Sequence, residues 1–132
     1  MSDGRTGTAT VKDEILNMIR SKPNLKEIDD KEMIEKADKF GKHLAKARLK
    51  TSQIRRFYDE MKRIERQFNR NSVLMLKPRL AYAAGRNKSA MSDFYAVCSI
   101  CIDNTSDKED FEKFTQFIEA ILAYHKFYGG ED

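Results

Sequence analysis

Arginine and lysine side chains are concentrated in the middle of this sequence. Arginine is well suited to binding phosphate, because its planar guanidinium group donates two parallel hydrogen bonds. Residues 36–88 hold sixteen Lys and Arg against four Asp and Glu, a net charge of +12. Residues 1–35 carry −2 and residues 89–132 carry −6, so the overall charge of +4 hides a strong asymmetry. Such a cationic segment favours a polyanionic partner, and nucleic acid is the commonest polyanion.

The clearest pattern lies between about Thr51 and Arg70. Turning each residue by about 100° places an aliphatic and aromatic stripe on one face of a helix. That stripe consists of Ile54, Phe57, Tyr58, Met61, Ile64 and Phe68. The opposite face holds six cations and one acid, Asp59, the cations being Arg55, Arg56, Lys62, Arg63, Arg66 and Arg70. Solvated helix faces usually mix charges of both signs, so this face favours polyanion binding over the alternative of a merely solvated surface.

The other side chains that could carry chemistry are two cysteines and two histidines, His43 and His125. Cys98 and Cys101 form a C-x-x-C pair, which could be a redox pair or half of a metal site. Both face inward on a predicted helix, where free cysteine behaves as a small hydrophobe. His125 lies in an apolar stripe and is interpreted as a hydrogen-bonded core residue rather than a base or ligand. The sequence has no phosphate loop, serine elbow or zinc-peptidase motif, so we expect no enzymatic activity, no metal and no cofactor.

The elements that must position these residues are predicted to be helices, because only six Gly and two Pro interrupt the chain. We predict an all-α fold: a compact bundle of about five helices, with a flexible, disordered tail over residues 1–10 and a single domain over residues 11–132. The helical periodicity covers residues 11–20, 29–49, 51–70, 73–84, 90–103 and 106–128. The second helix is expected to bury Met33, Ile34, Ala37, Phe40, Leu44 and Ala47.

Capping residues and glycines set the predicted helix ends. Thr51 or Ser52 is expected to cap the third helix, and Ser106 with Glu109 three residues later forms a capping box for the last helix. Gly85 is predicted to end the helical segment over residues 73–84, and Pro78 within that segment implies a kink or a nearby helix start. The glycine at position 41 weakens the prediction of the second helix.

The last helix is apolar around most of its circumference. Beyond its main stripe, Ala120, Ala123 and Phe127 make the reverse side apolar as well. A helix of this kind is either central to a core or covered by a second protein. Ala120, Ala123 and Phe127 are therefore candidates for a protein interface, with internal burial as the alternative.

Three segments resemble one known family in their order and spacing: TSQIRR at 51–56, LAYAAGRNKS at 80–89 and IEAILAYHKFYGG at 118–130. The family is the small helical subunit of the type III-A CRISPR effector, the Csm complex. The last segment is the most specific of the three. The resemblance covers about residues 51–132. It suggests a family for the chain, in addition to the nucleic-acid binding that is inferred from its charges.

The resemblance implies a helical subunit without enzymatic activity that self-stacks in several copies along a filament. Those copies would line the channel that holds CRISPR RNA paired with target RNA. They would contact other Csm subunits, including the repeating backbone subunit and the large signalling subunit. The family motifs imply RNA contacts by Arg55 and Arg56, with Arg86, Lys88 and Lys126 as weaker candidates. The other RNA-binding candidates follow from helical phase alone: Lys62, Arg63, Arg66 and Arg70.

Two alternatives remain open from the sequence. The chain could be a protein-only scaffold whose basic face contacts acidic neighbours, or a small redox or metal protein that uses Cys98 and Cys101. The two cysteines, together with an N-terminus that lacks an apolar signal, predict a reducing, cytoplasmic location.

Overall fold

A computed structural model describes residues 10–86 and 88–132, without the side chains of residues 88–90. The elements are α1 (Val11–Arg20), a 3-10 turn (Leu25–Glu27), α2 (Asp30–Lys46), α3 (Thr51–Arg66), α4 (Arg70–Leu74), α5 (Leu76–Arg86), α6 (Lys88–Asp103) and α7 (Lys108–Phe127). Within the described residues, six helices are ten residues or longer and no strand occurs. The all-α prediction of about five helices is confirmed. The predicted tail lies outside the described residues except for Thr10, and the single-domain prediction stays a prediction.

Several predicted helix ends are wrong, because other side chains supply the caps. Lys50 stands at the cap position of α3, and Thr51 is its buried first residue. Asp107 rather than Ser106 caps α7, its carboxylate accepting a hydrogen bond from the amide of Asp110 at 2.9 Å. Gly85 lies inside α5 instead of ending it. The serine and threonine signals were present at both sites, but neighbouring residues took the cap position.

The third helix is shorter than predicted, and this moves one candidate residue. The chain leaves helical geometry at Gln67 (φ −141°, ψ 71°). Asn69 then caps a new helix, its side-chain oxygen accepting hydrogen bonds from the amides of Asn71 at 2.8 Å and Ser72 at 3.3 Å. The gap between the predicted helical segments 51–70 and 73–84 thus falls inside α4. Arg70 is the first residue of α4 and does not belong to the cationic face of α3.

The hydrophobic core forms around α7, which packs against α2, α3 and the 3-10 turn, while α5 packs on α6. Four phenylalanines meet at its centre, with Phe57 at 5.6 Å from Phe94 and 6.2 Å from Phe114, ring centroid to ring centroid. Phe111 lies edge-on to Phe114 at 6.0 Å. Because α3 contributes Phe57 to this cluster, its opposite face must point outward. Ile34, predicted to be buried, is instead 44% exposed at the edge of α2.

Gly41 permits a close contact between α2 and α7. A Cβ atom at this position would lie 2.7 Å from the backbone nitrogen of His125 and 2.8 Å from the Cβ of Tyr124. The helix α2 therefore continues through Gly41, and the missing side chain lets α2 and α7 approach each other. The glycine that weakened the helix prediction is required by tertiary packing.

His125 joins the end of α7 to the start of α3. Its Nε2 lies 2.6 Å from the carbonyl oxygen of Leu49, and its Nδ1 lies 3.1 Å from the hydroxyl of Thr51. Since a carbonyl oxygen can only accept, Nε2 donates to Leu49 and Nδ1 accepts from Thr51. The amide of Gly130 donates to the His125 carbonyl at 2.8 Å, folding the Gly-Gly ending back over the ring. His125 is fully buried, which confirms the core-histidine interpretation.

Candidate nucleic-acid interface

The helix α3 presents its cations to solvent as the sequence predicts. Ile54, Phe57, Met61 and Ile64 are buried on one side. The opposite side is exposed and holds five of the six predicted cations: Arg55, Arg56, Lys62, Arg63 and Arg66. These five residues are called the basic face below. Arg70, the sixth, is also exposed but extends from the N-terminus of α4. Whether any of them contacts RNA stays a prediction.

Two members of the basic face are held in ion pairs within the chain. The Nζ of Lys62 donates to Glu65 at 2.8 Å, and Arg63 pairs with Glu60, each within one helical turn. The hydrogen bond from Arg63 is the main reason why the pKa of the Glu60 carboxyl lies below its usual range. Hydrogen bonding to Glu65 raises the pKa of Lys62. Surface pairs of this type contribute little stability and exchange readily with other anions.

The other three members of the basic face have no such partner among the residues that the structure describes. Among the described residues, no ion pair within 4.0 Å involves Arg55, Arg56, Arg66 or Arg70. The one acid on the same side, Asp59, also makes no ion pair within that distance in the described part of the chain. Arginine carries its charge at every physiological pH and donates in a fork that matches phosphate. The available charge of the basic face is therefore concentrated in Arg55, Arg56 and Arg66.

Arg79 on α5 extends the basic face, and the sequence reasoning missed it. Its guanidinium donates to Glu60 at 2.6 Å, so that Glu60 bridges α3 and α5. Arg56 and Arg79 line one cavity of about 210 Å³ between these helices and α6. A helical wheel of α5 could have revealed Arg79, because it shares an outward side with Arg86 seven residues later. The break assigned near Pro78 obscured that periodicity.

The weaker candidates lie at helix ends. Arg86 is exposed at the end of α5, and its guanidinium carbon stands 5.9 Å from the ring centroid of Tyr82. Tyr82 itself is 70% exposed. The side chain of Lys88 lies outside the described residues. Lys126 is exposed, with its Nζ 3.4 Å from the Gly130 carbonyl and 3.6 Å from Asp132. Its neighbour His125 bonds to Thr51, the first residue of α3.

The apolar reverse side of α7 faces solvent. Phe127 is 76% exposed, Ala123 is exposed and Ala120 is half-buried. Ile34 of α2 lines the same shallow groove as Ala120 and Ala123. Internal burial, the alternative considered from the sequence, is wrong for Ala123 and Phe127. An interface at Ala120, Ala123 and Phe127 stays a prediction.

The cysteines are placed as core residues. Cys98 is fully buried and Cys101 is 1% exposed, and neither forms a disulfide. Burial raises the pKa of both thiols well above the usual range, so the reactive thiolate is suppressed. Among the described residues, no group of three or more His, Cys, Asp or Glu is placed to hold a metal ion. No described helix combines the length and apolarity that crossing a bilayer requires.

Comparisons with known proteins give the chain a family. The family model described as Csm2 Type III-A matches residues 27–131. A curated relative from Streptococcus thermophilus, "CRISPR system Cms protein Csm2", is 37% identical over 95 residues. This alignment covers 64% of the present chain and 76% of the relative. No solved structure matches the chain at a comparable level of significance.

Proposed function

We propose a function for this chain from one premise: it belongs to the Csm2 family, the small subunit of the type III-A CRISPR complex. We propose that the basic face of α3, extended by Arg79, grips the backbone of CRISPR RNA or target RNA in the assembled particle. The chain itself is non-catalytic in this proposal and acts in the cytoplasm. Sequence is read by base pairing between the two RNAs, and protein side chains hold sugar and phosphate.

The observation that carries the proposal is the exposure of Arg55, Arg56 and Arg66 on a side of α3 that holds five cations and one acid, Asp59. All three are exposed on one helix whose other side is buried. A face held only for solubility would gain from mixed charges, because opposite charges four residues apart stabilise a helix. Spacings of three, four, seven and eleven residues along α3 place cations at intervals of one to three turns, which suits a repeating phosphate backbone.

The proposal includes protein partners. We propose that copies of the subunit stack along one RNA and contact the repeating backbone subunit and the large signalling subunit. The exposed reverse side of α7, with Ala120, Ala123 and Phe127, is the proposed contact for one of these neighbours. A lone copy offers few phosphate contacts and binds RNA weakly, whereas stacking on one strand raises the avidity.

The test is charge reversal of the basic face in the assembled complex. The variant Arg55→Glu/Arg56→Glu/Arg66→Glu is compared with a control of equal charge change on α1, α2 and the segment between them, Arg20→Glu/Lys22→Glu/Lys31→Glu. The control residues are exposed and make no ion pair within 4.0 Å in the described part of the chain. We expect the α3 variant to lose RNA affinity while the control retains it.

The main alternative is a protein-only scaffold, whose basic face contacts acidic surfaces of its neighbours. The same pair of variants separates the two functions. Suppose that the α3 variant assembles in low yield, but that the complexes it does form bind RNA as tightly as the control complexes. The basic face then serves protein contacts, and the RNA proposal is wrong.

A further inference from the structure

The cavity between α3, α5 and α6 has features of a ligand site that the gripping of phosphates does not use. Its volume is about 210 Å³. Sites for drug-sized ligands start at about 300 Å³, so the cavity suits a smaller, fragment-sized group. Its walls are mostly apolar and are formed by Phe57, Leu76, Leu80, Ala83, Met91 and Phe94. An apolar cavity of this size directly beside the basic face requires an explanation.

The polar groups of the cavity are two cations and two acceptors. Arg56 and Arg79 lie at its rim and contribute positive charge. Glu60 also lines it, and its carboxylate accepts from Arg63 and Arg79, which leaves acceptor capacity unused. The amide oxygen of Gln53, in the wall, is buried and has no hydrogen-bond partner among the described residues. The cavity therefore offers apolar walls, acceptors within them and cations at its mouth.

We propose that this cavity binds one unstacked nucleobase of the RNA whose phosphates lie on the basic face. The proposal rests on the proposed function and deepens it. A nucleobase is flat, can bury its ring against apolar side chains, and can stack on an arginine guanidinium plane. The connected phosphates carry the negative charge that Arg56 and Arg79 attract. A nucleobase thus combines a flat ring and N–H donors with negative charge on the same polymer.

The acceptors give the site a preference among bases. Cytosine donates from its exocyclic amino group, a contact that carboxylates accept in other nucleic-acid complexes, whereas uracil carries a carbonyl oxygen at the same position. Glu60 and Gln53 would therefore favour cytosine over uracil. An RNA of cytidines and an RNA of uridines have identical phosphates, so a preference for cytosine cannot come from the basic face.

A substitution that fills the cavity without changing charge tests the site. Ala83 lines the cavity, while Ala81 lies two residues earlier on the exposed side of α5. Ala83→Leu is therefore compared with Ala81→Leu, the same change on the same helix. Each full-length variant is titrated by fluorescence anisotropy with oligocytidine, oligouridine and inorganic polyphosphate, and its folding is checked by circular dichroism.

We expect Ala83→Leu to weaken oligocytidine binding by at least about fivefold, the low end of the contribution of one stacked base. Polyphosphate binding should stay unchanged, and Ala81→Leu should match the wild type with both ligands. Equal oligocytidine affinity for the two variants would overturn the nucleobase site. Because a lone copy binds weakly, each titration extends to high protein concentration. If the wild type then binds neither RNA nor polyphosphate, the proposed function fails instead, so the two failures are distinguishable.

A second variant keeps the test open if Ala83→Leu does not fold. Gln53→Leu removes the unpartnered acceptor and conserves volume, so stability should be retained or increased. We expect the wild type to prefer oligocytidine over oligouridine and Gln53→Leu to reduce that preference. Equal affinities of the wild type for both RNAs would overturn the assignment of the acceptors.

Discussion

Replacing Gly41 with alanine tests the packing of α2 on α7. In an isolated helix this change is favourable by about 1 kcal/mol, because alanine has the highest helix propensity and glycine one of the lowest. In the folded chain the new Cβ would lie 2.7 Å from the backbone nitrogen of His125 and 3.0 Å from the carbonyl carbon of Tyr124. Two of the three nearest atoms belong to the α7 backbone, which cannot move aside as a flexible side chain can.

The magnitude follows from two opposing contributions. Overpacking of a close contact costs about 1–3 kcal/mol, and the upper part of that range applies here because His125 is fixed by two hydrogen bonds. After the propensity gain, we expect Gly41→Ala to lower the free energy of unfolding by about 1–2 kcal/mol. Gly85 is the matched control, since it lies in α5 with no atom of the described residues within 4 Å of a new Cβ. Gly85→Ala should raise the free energy of unfolding by about 0.5–1 kcal/mol.

Urea denaturation followed by circular dichroism measures both variants. With a typical slope of about 1–3 kcal/mol per molar urea, the two midpoints should differ by roughly 1 M, with the wild type between them. If Gly41→Ala is as stable as Gly85→Ala, the helices do not approach as described. The packing explanation for Gly41 would then be wrong.

Three further predictions address the core, the thiols and the cavity. Burial lowers the pKa of His125 below its usual 6.5, so near that pH the unfolded chain binds more protons than the folded chain does. Stability, measured by urea denaturation at several pH values, should therefore fall as the pH drops below about 6.5, and it should fall less steeply in His125→Gln. Cys98 and Cys101 should resist maleimide under native conditions and react fully in urea by mass spectrometry, and rapid native labelling would revive the redox alternative. Ala83→Leu should reduce RNA binding selectively, as described above.

The helical fold could be predicted because amphipathic periodicity is a local signal. The α3 pattern from Ile54 to Ile64 placed both its buried and its basic side correctly. The capping errors arose where several polar residues competed. Asp107 displaced Ser106, and the side chain of Asn69 ended the basic face before Arg70. Propensity alone does not decide between adjacent capping residues.

Features that depend on contacts between helices could not be read from the sequence. Arg79 joins the basic face only because α5 packs beside α3 and shares Glu60 with it. Gly41 weakened the helix prediction, whereas its reason lies in the approach of α7. Phe127 lies on the reverse side of α7, which no other described helix covers there, and it is 76% exposed. In each case the deciding partner is distant in sequence.

If Arg55, Arg56 and Arg66 neutralise RNA phosphates, the affinity for RNA must depend on salt concentration through these three residues. Each neutralised phosphate of a single strand contributes about −0.7 to the slope of log affinity against log salt concentration. Neutralising all three with Arg55→Gln/Arg56→Gln/Arg66→Gln should therefore make the slope shallower by about 2, while Arg20→Gln/Lys22→Gln/Lys31→Gln leaves it unchanged. An unchanged slope in the α3 variant, with folding intact, would contradict the claim.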